Sequence, residues 1–402
     1  MENDRTRRIL ILGAGHFQLP GIRKAAALGY RVITVDYLAD NIGHQYSHDS
    51  VVCSTVDQNG VLQVAREWDV HGVCTFCSDI AIPSVALVCE QLGLPGVSTE
   101  AAAKMSTKNK FRSFQKDAGF PAPKFVSGSS LEAMFPKIQQ LRLPVVVKPV
   151  DTSGSRGVTR VDEFKPNAIH RAFEVARSFS RTRTVCVEEF VSGIEVGGDA
   201  ILLDGKIEFI AITHKHMQGF VVSGHSLPTN ISENDRQRVI EALQTTCAAL
   251  GYASGPLNFD AIVAADFVTI LEMSPRNGGN GIPAVIERAT GVDVEIASLK
   301  LAMGEIPTFP VLQRESRGAG SLMFGSSIAG CLLNIRLPDE LRFDIPEVFQ
   351  VYYVYQPGDS VNAFTHNGNM LGFVLFDCSS SSEYDRISHA VLNALNIEVR
   401  GG

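Results

Sequence analysis

Over its first hundred residues the chain alternates short, almost continuous apolar runs with amphipathic stretches. The order is "RRILILGAG", "FQLPGIRKAAALG", "YRVITVD", "VVCST", "NGVLQVAREWD", "VHGVCTF" and "AIPSVALVCEQLG". Strands that are apolar on both sides and separated by helices require a parallel sheet covered on both faces. A doubly wound α/β domain is therefore predicted at the start. "GAGHFQ" follows the first strand and Asp36 ends the second, which invites the dinucleotide fingerprint, whose glycines let backbone approach a pyrophosphate at a helix N-terminus. Gln18 stands at the third glycine position, so the motif is incomplete and the turn reads rather as a tight strand-to-helix connection than as a nicotinamide site.

Composition narrows the class. A chain of 402 residues, 45% hydrophobic and 20% charged, is ordinary globular usage and suggests two or three domains. The net charge of -7 leaves no general basic field, so no nucleic-acid partner is expected. Apolar runs such as "VVV" and "AAAL" fall far short of the roughly 20 residues that span a bilayer, so no membrane partner is expected. "MENDRTRRILIL" shows no signal-type apolar region, and a cytoplasmic location is expected. The eight cysteines lie mostly within apolar segments. Cys74 and Cys77 have CxxC spacing, but with no second pair nearby they read as buried thiols.

The predicted domains are 1–105, a Rossmann-like domain; 106–310, a two-lobed domain whose small α+β lobe covers about 124–190; and 311–402, a β-rich subdomain. The amphipathic segment "STKNKFRSFQKDAG" is closed by Gly119, Pro121 and Pro123. "AADF" reads as a turn between two strands, and "HNGN", His366 to Asn369, as a hairpin turn in which Asn-Gly takes positive φ.

Three constellations carry chemistry. In "VVVKPVDTSGSRGV", Lys148 ends an apolar strand ahead of Ser153, Gly154, Ser155, Arg156 and Gly157. A Walker A loop has its Lys after the glycines, so this is a different design: a hairpin whose N–H groups can fold over phosphate oxygens above a lysine charge. Alone, it is equally a plain turn. In "LNFDAIV" and "VTILEMSPRNGGN", adjacent antiparallel strands would set Asp260 and Glu272 on one side. Two carboxylates with a phosphate suit Mg²⁺, and Arg276 can hold a phosphoryl group or a carboxylate; solvated strand residues are the alternative. In "VEEFVSGIE", Glu188 and Glu189 can meet a purine edge and Glu195 ribose hydroxyls, or all can simply be solvated. His225 in "VVSGHSLPTN" reads as a loop histidine able to orient a substrate or take a proton. Asn280, after Gly278 and Gly279, can reach a substrate carboxylate or cap the next helix.

Taken in order, Lys110, Lys148 with its glycine hairpin, "EEFVSGIE", Asp260 and "LEMSPR" resemble the ATP-grasp superfamily of carboxylate–amine ligases over roughly the whole chain. "GHSLP", "SPRNGGNGIP" and the β-rich tail are most similar to the L-amino-acid, dipeptide-forming branch. The resemblance implies a multidomain α/β and α+β protein of ATP-grasp fold, with a doubly wound pre-grasp domain, a small lid lobe, a large lobe and a β-rich C-terminal subdomain. It implies that Lys110 and Lys148 contact ATP phosphates under residues 153–157. Glu188, Glu189 and Val191 would line the adenine, and Glu195 would hold the ribose. Asp260 and Glu272 would hold Mg²⁺, with Mn²⁺ as a substitute. Arg276 would stabilise the transferring phosphoryl group, while His225, Gly278, Gly279 and Asn280 would meet the substrate. Where many relatives have Asn two residues after the metal Glu, this chain has Ser274, which puts a second metal in doubt; Asp260 replaces their first Glu. The implied partners are a small-molecule carboxylate, an amine and a second copy in a homodimer. The alternatives are a bicarbonate-activating carboxylase, a nucleotide-binding regulator without catalysis and a nicotinamide-dependent dehydrogenase.

Overall fold

The structure, a computed structural model, describes residues 6–309 and 317–401, so the expected boundary at 310–311 lies outside the described residues. The apolar runs at the start form β1 (Arg8–Leu12), β2 (Arg31–Asp36), β3 (Asp49–Val52) and β4 (Gly72–Thr75), interleaved with α1 (Leu19–Ala27), α2 (Gln58–Glu67) and α3 (Ile82–Leu92). All pairs are parallel, in the order β3-β2-β1-β4. Burial on both faces explains the missing alternation: Ile9, Leu10, Ile11 and Leu12 are all 0% exposed.

The dinucleotide features are used internally. Gln18 Nε2 donates to the Phe76 carbonyl (2.6 Å) and its Oε1 accepts from Gly15 N (3.1 Å). Asp36 accepts from the N–H groups of Ala14 (2.8 Å) and Leu38 (3.0 Å). Both side chains hold the turn together, so the tight-connection reading prevails.

Two helices, α4 (Thr99–Met105) and α5 (Lys108–Asp117), lead to a second sheet. It comprises β5 (Phe125–Gly128), β6 (Val145–Pro149), β7 (Thr159–Val161) and β8 (Val185–Glu189), antiparallel in the order β5-β8-β6-β7, with α6 (Leu131–Ile138) and α7 (Pro166–Phe179). Met134, Ile138, Val145, Val147, Phe173 and Val187 form its core.

The remaining chain builds a large sheet. Its strands are β9 (Ile194–Leu203), β10 (Lys206–Gln218), β11 (Val221–Leu227), then after α8 (Glu233–Leu250) β12 (Gly255–Val263) and β13 (Val268–Ser274). "AADF" turns between the last two, Ala264 N donating to Phe267 O at 2.9 Å. After α9 (Ile282–Thr290) and α10 (Val294–Ala302) come β14 (Ala319–Phe324), β15 (Gly330–Asn334), α11 (Pro338–Asp344), β16 (Val348–Tyr353), β17 (Ser360–Val361), β18 (Gly372–Asp377), α12 (Ser381–Ala394) and β19 (Glu398–Arg400). The eight-stranded order is β13-β12-β9-β10-β11-β14-β18-β16, so three strands of the β-rich tail continue the large sheet.

"HNGN" is not a hairpin turn. It forms a short 3₁₀ turn at Asn367–Asn369, the flanking β17 and β18 pair with other strands, and neither Asn367 nor Gly368 has positive φ. Among the described residues no helix is long and apolar enough to cross a membrane.

Candidate active site

A cleft of about 400 Å³ lies where the small lobe, the large sheet and the end of β4 meet. At its phosphate-suited end, Lys148 is 8% exposed and its Nζ donates to Glu188 on the neighbouring strand β8. Glu188 also accepts from Nε of the fully buried Arg112 at 3.0 Å. Burial alone pushes a carboxylate up, but Arg112 and Lys148 outweigh it and hold Glu188 down at about 2. Its side chain is thus committed to positioning Lys148 rather than free to read a purine. Glu189 and Val191 do line the cleft, with Phe190 between them.

The lysine expected at 110 is displaced. Lys110 lies in a shallow surface depression with Lys104, Asn109 and Asp117, away from the cleft. Lys108 is the residue in the cleft, donating to Thr152 O (2.8 Å) and to Glu272 Oε1 (3.3 Å). Helical phase explains this: Lys108, Phe111, Arg112 and Gln115 share the inner face of α5, and a residue two positions from Lys108 points about 200° away. Lys108→Ala is expected to weaken nucleotide binding about tenfold, whereas Lys110→Ala leaves it unchanged; calorimetric titration of both variants checks the pair.

The loop after β6 has φ of +71° at Gly154, +61° at Ser155 and +73° at Gly157. Successive N–H groups in such turns make an anion-holding concavity. Residues 153–156 line the cleft, and Gly157 instead packs against Phe179.

Asp260 and Glu272 are direct cross-strand partners on β12 and β13, so their side chains share a face. They are 32% and 33% exposed and line the cleft. The buried Lys215 on β10 donates to Asp260 Oδ2 and Glu195 Oε1, both at 2.8 Å. Burial disfavours its charge, but the two carboxylates outweigh this and raise it. Among the described residues no three His, Cys, Asp or Glu cluster as a metal cage. Two facing carboxylates with open approach suit Mg²⁺, which takes one or two carboxylates and completes its shell from substrate oxygens and water. Ser274 adds no ligand, since it is buried and bonds to Asp79.

Arg276 is 8% exposed. Its Nε (2.8 Å) and Nη2 (2.5 Å) donate to Asp79 Oδ1, and Nη1 donates to Asn258 Oδ1 (2.9 Å). Burial pushes Asp79 up, but Arg276 and Ser274 hold it below the usual carboxylate range. The N-terminal domain thus fixes the arginine that the large sheet supplies.

His225 is a strand residue of β11, 2% exposed, not a loop histidine. Thr213 Oγ1 donates to Gly197 O (3.0 Å), so its contact with His225 Nδ1 (2.9 Å) is received from an Nδ1–H, and Nε2 keeps its lone pair. Burial and Lys215 push the imidazole down to about 3, so it is neutral at physiological pH. His214 and His216, one position either side of Lys215, point to the opposite face, where His216 stacks on Tyr384 with centroids 3.5 Å apart.

Gly279 and Asn280 line the cleft, but Gly278 does not. Gly278 N donates to both oxygens of the fully buried Asp199 (2.9 and 3.0 Å), and a Cβ there would meet Asn258 Nδ2 at 2.7 Å. Burial pushes Asp199 up to about 6 in spite of these N–H donors. Asn280 does not cap α9, whose N-cap is Gly281 without a side-chain bond. The CxxC thiols are free; Cys77 lines the cleft and donates to Gly278 O at 3.0 Å.

Residues 141–284 match the family pattern of the ATP-grasp domain. An uncharacterised protein of Sinorhizobium fredii is 26% identical over 340 residues, 83% of this chain and 69% of that one. Alanine–anticapsin ligase of Bacillus amyloliquefaciens is 24% identical over 269 residues, 61% of this chain but only 56% of that enzyme, so the match spans little more than half of the ligase. In structure, L-amino acid ligase from Bacillus licheniformis superposes with a TM-score of 0.85 at 22% identity, covering 99% of this chain and 100% of that one. Residues 141–284 thus carry an ATP-grasp domain, the chain as a whole has the fold of L-amino acid ligase from Bacillus licheniformis, and its similarities in sequence include alanine–anticapsin ligase.

Proposed function

We propose that this enzyme uses ATP to activate the carboxylate of an amino acid as an acyl-phosphate and couples it to an amine, releasing ADP and phosphate. The observation that carries the reading is the single cleft in which Lys108, Lys148 and the glycine loop stand at one end, Asp260 and Glu272 face each other across two strands, and Arg276 and Asn280 stand nearby. The lysines and loop N–H groups hold the phosphates, and Arg276 meets the charge that develops as the carboxylate oxygen bonds to the γ-phosphorus and ADP departs. Asp260 and Glu272 would hold Mg²⁺, which would supply charge neutralisation for the phosphate oxygens when bound. The amine nitrogen then bonds to the acyl carbon, the C–O bond to phosphate breaks, and the amine proton is given up. The loop over the phosphates keeps water from the acyl-phosphate.

Phe17, Met217, Phe220, Val222 and Ile282 supply apolar lining to the cleft. An apolar wall favours a substrate with an uncharged, apolar side chain. Neutral His225 offers a hydrogen bond to substrate without a resting charge. His225→Asn is expected to raise substrate KM about tenfold, as loss of one hydrogen bond does, with a smaller change in kcat; the reverse pattern in steady-state kinetics would assign it to proton transfer.

The test is ADP and phosphate release with Mg·ATP against pairs of the twenty amino acids, with product masses. A pair that stimulates release and yields a product lighter than the sum by one water establishes the ligase. Release with bicarbonate alone would establish the carboxylase instead.

A further inference from the structure

Asn367 stands where three parts of the chain meet. Its backbone N–H donates to Gly154 O at the tip of the phosphate loop (3.3 Å). Its side-chain Nδ2 donates to Val222 O on β11 (3.0 Å) and to Asn280 Oδ1 (3.2 Å). The amide orientation follows from chemistry, because a flip would set Oδ1 against the Val222 carbonyl, two acceptors face to face. Its Oδ1 is therefore the free end, buried and without a partner, on a residue that lines the cleft.

A buried acceptor without a donor is costly, and in a binding cleft it selects a ligand that brings the donor. Phosphate and carboxylate oxygens are acceptors and are excluded from this position. A ribose hydroxyl could donate, but none of the residues suited to adenine and ribose, Glu189, Val191 and Glu195, is among the partners that hold Asn367, which are Gly154, Val222 and Asn280. Its neighbours Val222 and Asn280 bound the apolar wall, with Val222 and Ile282 in one core cluster flanked by Phe17 and Met217. The proposed reaction supplies N–H donors from the attacking amine and from the ammonium of the activated amino acid; hydroxamate formation, which needs only the latter, tells the two apart.

Resting on the ligase reading above, we propose that Asn367 binds the nucleophilic amine, Oδ1 accepting one of its N–H groups, and that its backbone ties the phosphate loop to that occupied subsite. The tail of the chain thereby contributes a substrate-binding residue from outside the ATP-grasp match at 141–284.

The experiment uses the full chain with Asn367→Ala and Asn367→Ser, the latter keeping a short polar side chain. Three readouts are compared with the parent: amine KM for the amino-acid pairs that ligate, hydroxamate formation with saturating hydroxylamine, and ATP affinity by calorimetry. The expected result is an amine KM raised at least about tenfold in both variants, with hydroxamate rate and ATP affinity within about twofold. Amine KM within twofold of the parent, or a parallel fall of all three readouts in both variants, overturns the assignment while parental hydroxamate formation leaves the ligase standing. A parent that forms neither ligated product nor hydroxamate overturns the ligase reading and this assignment with it.

Discussion

Glu272→Ala is expected to lower ATP-dependent turnover about a hundred- to a thousandfold while leaving the protein folded. The residue is one of two cross-strand carboxylates in the cleft; among the described residues no three acidic, histidine or cysteine groups form a metal cage, and the nearby Glu195 is tied to Lys215. Removal of Glu272 leaves Asp260 alone, already bonded to Lys215. Stability should change little, since the Lys108–Glu272 pair is long at 3.3 Å and Glu272 is one-third exposed, the kind of pair worth under about 1 kcal/mol. ADP release measured with an unchanged thermal transition checks both halves. Release at the parental rate would remove the metal assignment.

Lys148→Ala should weaken nucleotide binding about a hundredfold. Lys148 is buried between the phosphate loop and Glu188, so its charge acts in a low-dielectric site where a phosphate contact is worth more than at a surface. Once the lysine is gone, Glu188 retains Arg112 as its cation and stays ionised beside the place of the phosphates, adding repulsion to the lost attraction. Calorimetry that shows unchanged ATP affinity would contradict the role. The contrast with Lys110→Ala separates a loss at this site from a general effect of removing positive charge.

What the sequence made legible follows the range of the interactions concerned. The strands buried on both faces declared the parallel sheet, and the turn "AADF" declared the β12–β13 hairpin, but its register alone would set Asp260 opposite Leu271; a bulge between Asp260 and Ala261 brings Glu272 there instead. Lys148 was recognisable because a strand-end lysine and its glycine loop are contiguous. The failures have a common cause. Choosing between Lys108 and Lys110 required the phase of α5 against the large sheet, and only the run of Phe111, Arg112 and Gln115 on one face hinted at it. His225 read as a loop residue because glycine and serine flank it, yet its strand pairs with both β10 and β14. Asp79 meets an arginine 197 positions away, and Asn367 meets Val222 across 145, distances that no local pattern encodes. Glu188 looked like a free carboxylate because Arg112 lies 76 residues earlier.

The central claim is that a substrate carboxylate becomes an acyl-phosphate in this cleft. Ligation run with the acid substrate labelled with ¹⁸O in its carboxylate tests it directly, because the oxygen that attacks the γ-phosphorus leaves with phosphate when the amine displaces it. The account predicts that one labelled oxygen per turnover appears in inorganic phosphate and that the nucleotide product is ADP. Unlabelled phosphate, or AMP as the product, would contradict it.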